Sequence, residues 1–304
     1  MGKPHTYSKR FRYRDFPYLI LDTYKAWGKV QPWRLSAVVA YYAVLSLPAL
    51  LVIIINLVGA IWGVDIVQGR LTDEFTIALG PNAAQTIEKI VQDTQNKDQS
   101  VISTVIGIAT LLFGASGVLY QLKISLNEIW RIDRPTNFSF WKLASERARS
   151  FAFILVIGFL LLISFMVTAA ISALNDYLRS IITDAVIYLA YAVDIVSSIA
   201  IITVMFALMF KFLPDARIKW RAVWFGAFIT AVMFVIGKFL LGLYFGEAKP
   251  GSTYGAAGTI VLILLWVSYS CLILFFGAQF TYVYAKTYNI LFVPYHRIRK
   301  RTIR

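Results

Sequence analysis

The chain has 304 residues, of which 59% are hydrophobic and 15% charged, and its formal net charge is +14. Soluble domains average about 45–50% apolar and about 25% charged residues, so this composition is shifted toward lipid on both counts. A single cysteine, Cys271, excludes a disulfide framework or a thiolate metal site, and the two histidines, His5 and His296, lie apart in basic tails.

The first 34 residues are basic and aromatic. No small-residue cleavage site follows a short apolar core, so no cleaved leader is expected. Within this region Phe16 to Lys29 places Ile20, Tyr24 and Trp27 on one helical face, which predicts a helix lying along the membrane surface. A bilayer core takes about 20 apolar residues in a helix. Six segments meet that length. They are Leu35 to Trp62 (with Pro48 inside it), Val101 to Tyr120, Phe151 to Leu174, about Ile187 to Phe212, Trp220 to Phe245, and Gly258 to Tyr284. Helices satisfy their own backbone hydrogen bonds, which lipid cannot do. Between the first two spans Val64 to Ser100 forms a long acidic loop. In it Pro81 is placed to open a helix with Ile87, Ile90 and Val91 on one face. The expected class is all-α: a polytopic membrane protein with about six transmembrane helices plus short interfacial helices. No convincing internal repeat is evident.

Charge predicts the orientation. The stretch to Arg34 carries eight Lys and Arg, Gln121 to Ser150 six, the connection after the fourth span four, and the tail from Lys286 six, which is 24 of the 30 cations in the chain. The alternate loops hold only Arg70, Lys89, Lys97, Arg179 and Lys249. The positive-inside rule assigns the first set to the cytoplasm, with both ends of the chain there. This explains the basic balance without nucleic acid. Trp130, Trp141, Trp220 and Trp224 near cytoplasmic span ends, and Trp62, Tyr244 and Tyr254 near external ones, fit an interfacial aromatic belt. Three parts follow: a basic cytoplasmic segment with an interfacial helix over residues 1–34, a six-helix membrane domain over 35–284, and a basic cytoplasmic tail over 285–304.

Several stretches resemble the YihY/BrkB family of bacterial inner-membrane proteins. They are Ala40-Tyr-Tyr-Ala-Val-Leu-Ser-Leu-Pro48, Ser116-Gly117 with Gln121 and Leu126-Asn-Glu-Ile-Trp130, Leu213-Pro-Asp215, and Tyr254-Gly-Ala-Ala-Gly258. Gly237-Lys238 and Gly277-Ala-Gln-Phe-Thr281 also fit. The match spans roughly residues 20 to 285. The resemblance implies a six-helix protein of the bacterial inner, or plasma, membrane. Members are linked by name to serum resistance, to lipid or envelope transport, and once to a ribonuclease. The last label finds no support in the residues. Nuclease chemistry needs a general base or bound metals, and no His or carboxylate cluster is present to supply them.

Asp194 and Lys238 are the clear ionisable residues inside the spans. Each lies about seven residues from the external end of its span, so both are roughly 10 Å deep at 1.5 Å per residue. Equal depth allows an ion pair or a polar cavity open to the outer side. Intramembrane charges are costly and mark functional sites by default. The alternative is a snorkelling Lys238 and a water-facing Asp194. Ser46 and Pro48 are placed to kink the first span, and Gly107 and Gly114 share a small-residue face on the second. Ser252 to Gly258, rich in small residues beside a Pro250-Gly251 turn, is either irregular backbone lining a cavity or an ordinary external loop. With Tyr254 and Gly255 from that stretch, and Ser116 and Gln121 from the resemblance, Asp194, Lys238, Ser46 and Pro48 are the candidate cavity or gate. Arg131, Arg134, Arg147 and Arg149 form a basic loop that either contacts anionic headgroups or only sets topology.

No catalytic residue, metal ligand or cofactor is indicated. Close glycine pairs such as Gly114 with Gly117 lie in or beside apolar spans and follow no strand, so they are not phosphate loops. The reading is a transporter or exporter of a lipid-like or small anionic solute, with membrane lipids as partners. A non-transporting envelope scaffold is the first alternative. An intramembrane lipid-modifying enzyme is the second.

Overall fold

The computed structural model describes residues 11–46, 117–132, 185–248, 258–290 and 292–294, with isolated positions between 69 and 89; the side chains of 185–195, 246–248 and 292–294 are outside this description. The chain enters through a short 3-10 turn, Tyr13–Asp15, and helix α1, Phe16–Gly28. Helix α2 follows at 32–46 and helix α3 at 117–129. Helix α4 is Ala185–Phe212, strand β1 Ala216–Ile218, helix α5 Trp220–Ala248, helix α6 Gly258–Thr287 and strand β2 Phe292–Pro294.

The last three predicted spans coincide with α4, α5 and α6 to within a few residues. The third span, and most of the first two, lie outside the described residues. Two helices among the described residues, Trp220–Phe245 and Gly258–Thr287, are long and apolar enough to cross a membrane, and Val196–Phe212 is a shorter apolar helix. On α5, Phe228, Ile236, Phe239, Leu240 and Leu243 are exposed. An apolar helix that stays apolar on its outer face is what a lipid-facing span requires.

Two sequence expectations are corrected, and one local feature is added. The stretch after Tyr120 was expected as a loop, but helix continues to residue 129. Leu122, Leu126 and Ile129 recur at helical spacing on its buried side, and no breaker interrupts them. The buried side of α1 carries Leu19 and Thr23, while Tyr24 is 62% exposed. Ile20 and Trp27 pack beside them against the core, so of the three residues predicted to share a face Tyr24 is the one turned outward. Finally, β1 and β2 pair antiparallel, with Arg217 opposite Val293. This three-residue ribbon is a local addition to a mostly helical fold. Strands of three residues are too short for an alternating pattern to reveal.

The α5–α6 contact rests on a local repeat that apolar composition hides. Phe225-Gly-Ala-Phe-Ile-Thr230 and Phe276-Gly-Ala-Gln-Phe-Thr281 share four of six residues in register. A Cβ on Gly226 would stand 1.8 Å from Thr281 Oγ1, and one on Gly277 would stand 1.8 Å from Thr230 Oγ1. The contact is reciprocal, so the antiparallel helices are related here by a local two-fold axis. Each threonine hydroxyl donates to the carbonyl one turn earlier in its own helix, Thr230 to Gly226 at 2.7 Å and Thr281 to Gly277 at 2.9 Å. The polar group is thus satisfied within its helix, and its bulk nests on the glycine opposite. Small residues allow this close approach where lipid gives helices no hydrophobic drive to associate.

Candidate functional site

Four distant chain segments meet at one end of the molecule. Each arrives because a helix ends there. Two of these ends close with a left-handed residue, Arg131 at φ 53° and Asn289 at φ 50°. In each case the next residue donates five positions back, Ile132 N–H to Asn127 O at 2.8 Å and Ile290 N–H to Ala285 O at 2.9 Å. That is the Schellman closure, which satisfies helix-end carbonyls.

The centre of this end is Asp215, in the short Leu213-Pro214-Asp215 connection after α4. Asn127 clasps it twice: Asn127 Nδ2 donates to Asp215 Oδ2 at 3.0 Å, and Asp215 N–H donates to Asn127 Oδ1 at 2.9 Å. Lys123, one turn earlier on α3, brings its Nζ to 3.0 Å from the same Oδ2. The Lys123 side chain is only 11% exposed, so this carboxylate offsets a largely desolvated ammonium. From the last turn of α4, Lys211 Nζ donates to Ile218 O at 2.5 Å and lies 5.2 Å from the centre of the Trp220 ring.

Trp130 docks α3 onto α6. Its ring is buried, and its Nε1–H donates to Ala278 O at 2.9 Å. Trp130 is therefore a packing residue, and its expected place in the interfacial belt is corrected. Trp220 and Trp224 are exposed, as a belt requires. Arg34 of α2 pairs with Glu128 of α3. The N-terminal segment is tied to the tail by Tyr288, whose hydroxyl donates to Asp15 Oδ2 at 2.9 Å. Phe11 meets the rings of Phe225, Tyr284 and Tyr288 edge-on. Burial, then the hydrogen bond to Asp15, raises the Tyr288 pKa above its ordinary value.

The predicted site residues are not assembled into one place by the described residues. Lys238 is exposed on α5 and has an interaction partner. Asp194 lies on α4, with its side chain outside the described residues. Ser46 is buried, and its hydroxyl donates to Ala43 O at 3.2 Å. Gln121 is half-buried on α3, and Arg131 is exposed. Pro48, Ser116, Tyr254, Gly255, Arg134, Arg147 and Arg149 lie outside the described residues. The structure instead joins the stretches that carried the resemblance. Asn127 reaches Asp215, Trp130 reaches Ala278, and a Cβ on Gly117 would meet Tyr42 at 3.3 Å. Lys123 was missed because its only sequence signal is a cation among apolar residues. Its partner stands 92 positions away in the chain.

Among the described residues no group of three or more His, Cys, Asp or Glu side chains stands close enough to hold a metal. Asp215 is engaged in joining chain segments, and Cys271 is buried within α6. Lipid-length apolar helices with an exposed apolar face, tied together at one polar end, define a helical membrane protein. The comparisons agree. The family described as "Virulence factor BrkB" matches residues 23–297, and the chain belongs to it. Its relatives include a UPF0761 membrane protein of Mannheimia succiniciproducens, 26% identical over 69% of this chain and 68% of that one. A second, from Alteromonas mediterranea, is 25% identical over 80% and 79%. A third, from Idiomarina loihiensis, is 27% identical over 71% and 73%. None of these names states a reaction. No solved structure matches the chain.

Proposed function

We propose that this protein spans the bacterial inner membrane six times, with both termini in the cytoplasm, and moves or exports a lipid-like or small anionic solute. The observation that carries the reading is Lys238. It sits in the apolar span Trp220–Phe245, roughly 10 Å from the span's end at 1.5 Å per residue. A cation at that depth is costly unless it is paired or wet, which makes it a functional candidate. Asp194, at matching depth on α4, is its proposed counter-charge, and the two form a charged gate toward the outer side. The basic loop with Arg131 is proposed to contact anionic headgroups. A non-transporting scaffold is the competing reading. The reciprocal Gly–Thr contact and the Asn127–Asp215 clasp favour it, because both rigidify the bundle.

The test is transport into or across proteoliposomes, using labelled lipids and organic anions. Wild type is expected to transport, and folded Asp194→Asn and Lys238→Met variants are expected to lose at least tenfold in rate. If wild type moves none of these solutes and both variants still complement the null strain, the scaffold reading replaces transport.

A further inference from the structure

Helix α1 crosses α6, with the Trp27 ring 5.8 Å from Phe276 and Phe16 6.3 Å from Phe280. Three polar groups on these two helices are buried and have no hydrogen-bond partner: Trp27 Nε1, Thr23 Oγ1 and Gln279 Oε1. Thr23 is wholly buried and Gln279 is 2% exposed. Thr23 and Trp27 are four residues apart, so they share one side of α1. Gln279 is three residues from Phe276, and so neighbours on α6 the ring that Trp27 packs against.

Leaving such groups unpaired costs about 1–3 kcal/mol each, and lipid offers no relief. Their chemistry is complementary. The indole N–H only donates, the amide oxygen only accepts, and the threonine hydroxyl does either. A bound hydroxyl resolves all three by accepting from Trp27, donating to Gln279 and sharing the third bond with Thr23. A buried water makes about three such bonds. A lipid headgroup hydroxyl can make the same set, and the outer side of α1 leaves Tyr18, Leu21 and Tyr24 exposed beside the seam.

We infer that the α1–α6 seam is a binding site for a hydroxyl group, held between Trp27 Nε1 and Gln279 Oε1. The inference is independent of whether the protein transports anything.

The test uses the full chain, purified in detergent and in nanodiscs containing phosphatidylglycerol. Ultraviolet resonance Raman difference spectra against Trp27→Phe isolate the Trp27 indole. Its N–H is expected to be hydrogen-bonded in wild type and free in Gln279→Met, with a fall of several degrees in the Tm of Gln279→Met and of Thr23→Val. A free indole N–H in wild type overturns the site. So does a Gln279→Met Tm equal to or above wild type, because removing an amide from a dry seam relieves a cost. Native mass spectrometry distinguishes the source. Phosphatidylglycerol retained by wild type and lost from Thr23→Val assigns a headgroup. A hydrogen-bonded indole with no retained lipid assigns water.

Discussion

At the scale of single residues, the polar end of the molecule is held by few side chains, each with a definite partner. Asn127 makes two hydrogen bonds to Asp215. Each is worth about 1 kcal/mol net, so Asn127→Leu is expected to lower the unfolding free energy by about 2 kcal/mol in a denaturant titration in micelles. Asn127→Asp places a carboxylate against Asp215 and should likewise be less stable than wild type. Tyr288 makes stability depend on pH. Its folded pKa lies above the ordinary value of 10.0. The protonated phenol therefore stabilises the fold fully below pH 10, and that contribution is lost as pH rises through the folded pKa. Tyr288→Phe should be less stable than wild type at pH 8 and should lose less on alkaline titration, read by far-ultraviolet circular dichroism.

Between elements, the tightest constraint among the described residues is the α5–α6 crossing. Any Cβ at Gly226 or Gly277 collides with a threonine fixed on the opposite helix. Relief needs either separation of the helices or loss of the threonine side chain. Overpacking of this kind typically costs about 1–3 kcal/mol and occasionally more. Gly277→Ala is therefore expected to destabilise by about 3 kcal/mol, and adding Thr230→Gly should recover part of it. The local two-fold axis predicts the same for Gly226→Ala with Thr281→Gly. Equal losses without recovery in either double variant would mean that the glycines act through backbone freedom rather than through contact.

Across the whole molecule, the segments that charge groups together are the segments that meet. The N-terminal stretch, the end of α3, the connection after α4 and the tail are linked by Asp15–Tyr288, Lys123–Asp215 and the β1–β2 ribbon. Cations that share one end of the bundle are what the positive-inside rule expects of a cytoplasmic face. The consequence is measurable by labelling single cysteines in a background where Cys271 is replaced by Ala. A membrane-impermeant maleimide should reach Arg131→Cys and Lys219→Cys only after permeabilisation, and Lys249→Cys in intact cells. Labelling of Lys219→Cys in intact cells would invert the proposed topology.

The sequence by itself determined the membrane class, the limits of α4, α5 and α6, and the charge grouping. These follow from local composition: apolar length sets a span, and cation counts sort loops, so no partner need be known. It also carried the Phe-Gly-Ala repeat in plain letters, but in apolar helices of similar composition that repeat does not stand out until the two copies are seen in contact. The tertiary structure decided the rest. Asn127 with Asp215, Trp130 with Ala278 and Tyr288 with Asp15 are 88, 148 and 273 residues apart. No periodicity encodes such pairs, because they depend on which helix ends converge. The buried, unpaired Gln279 is of the same kind. A glutamine in an apolar helix reads as ordinary polarity until packing removes its water and leaves its oxygen without a donor.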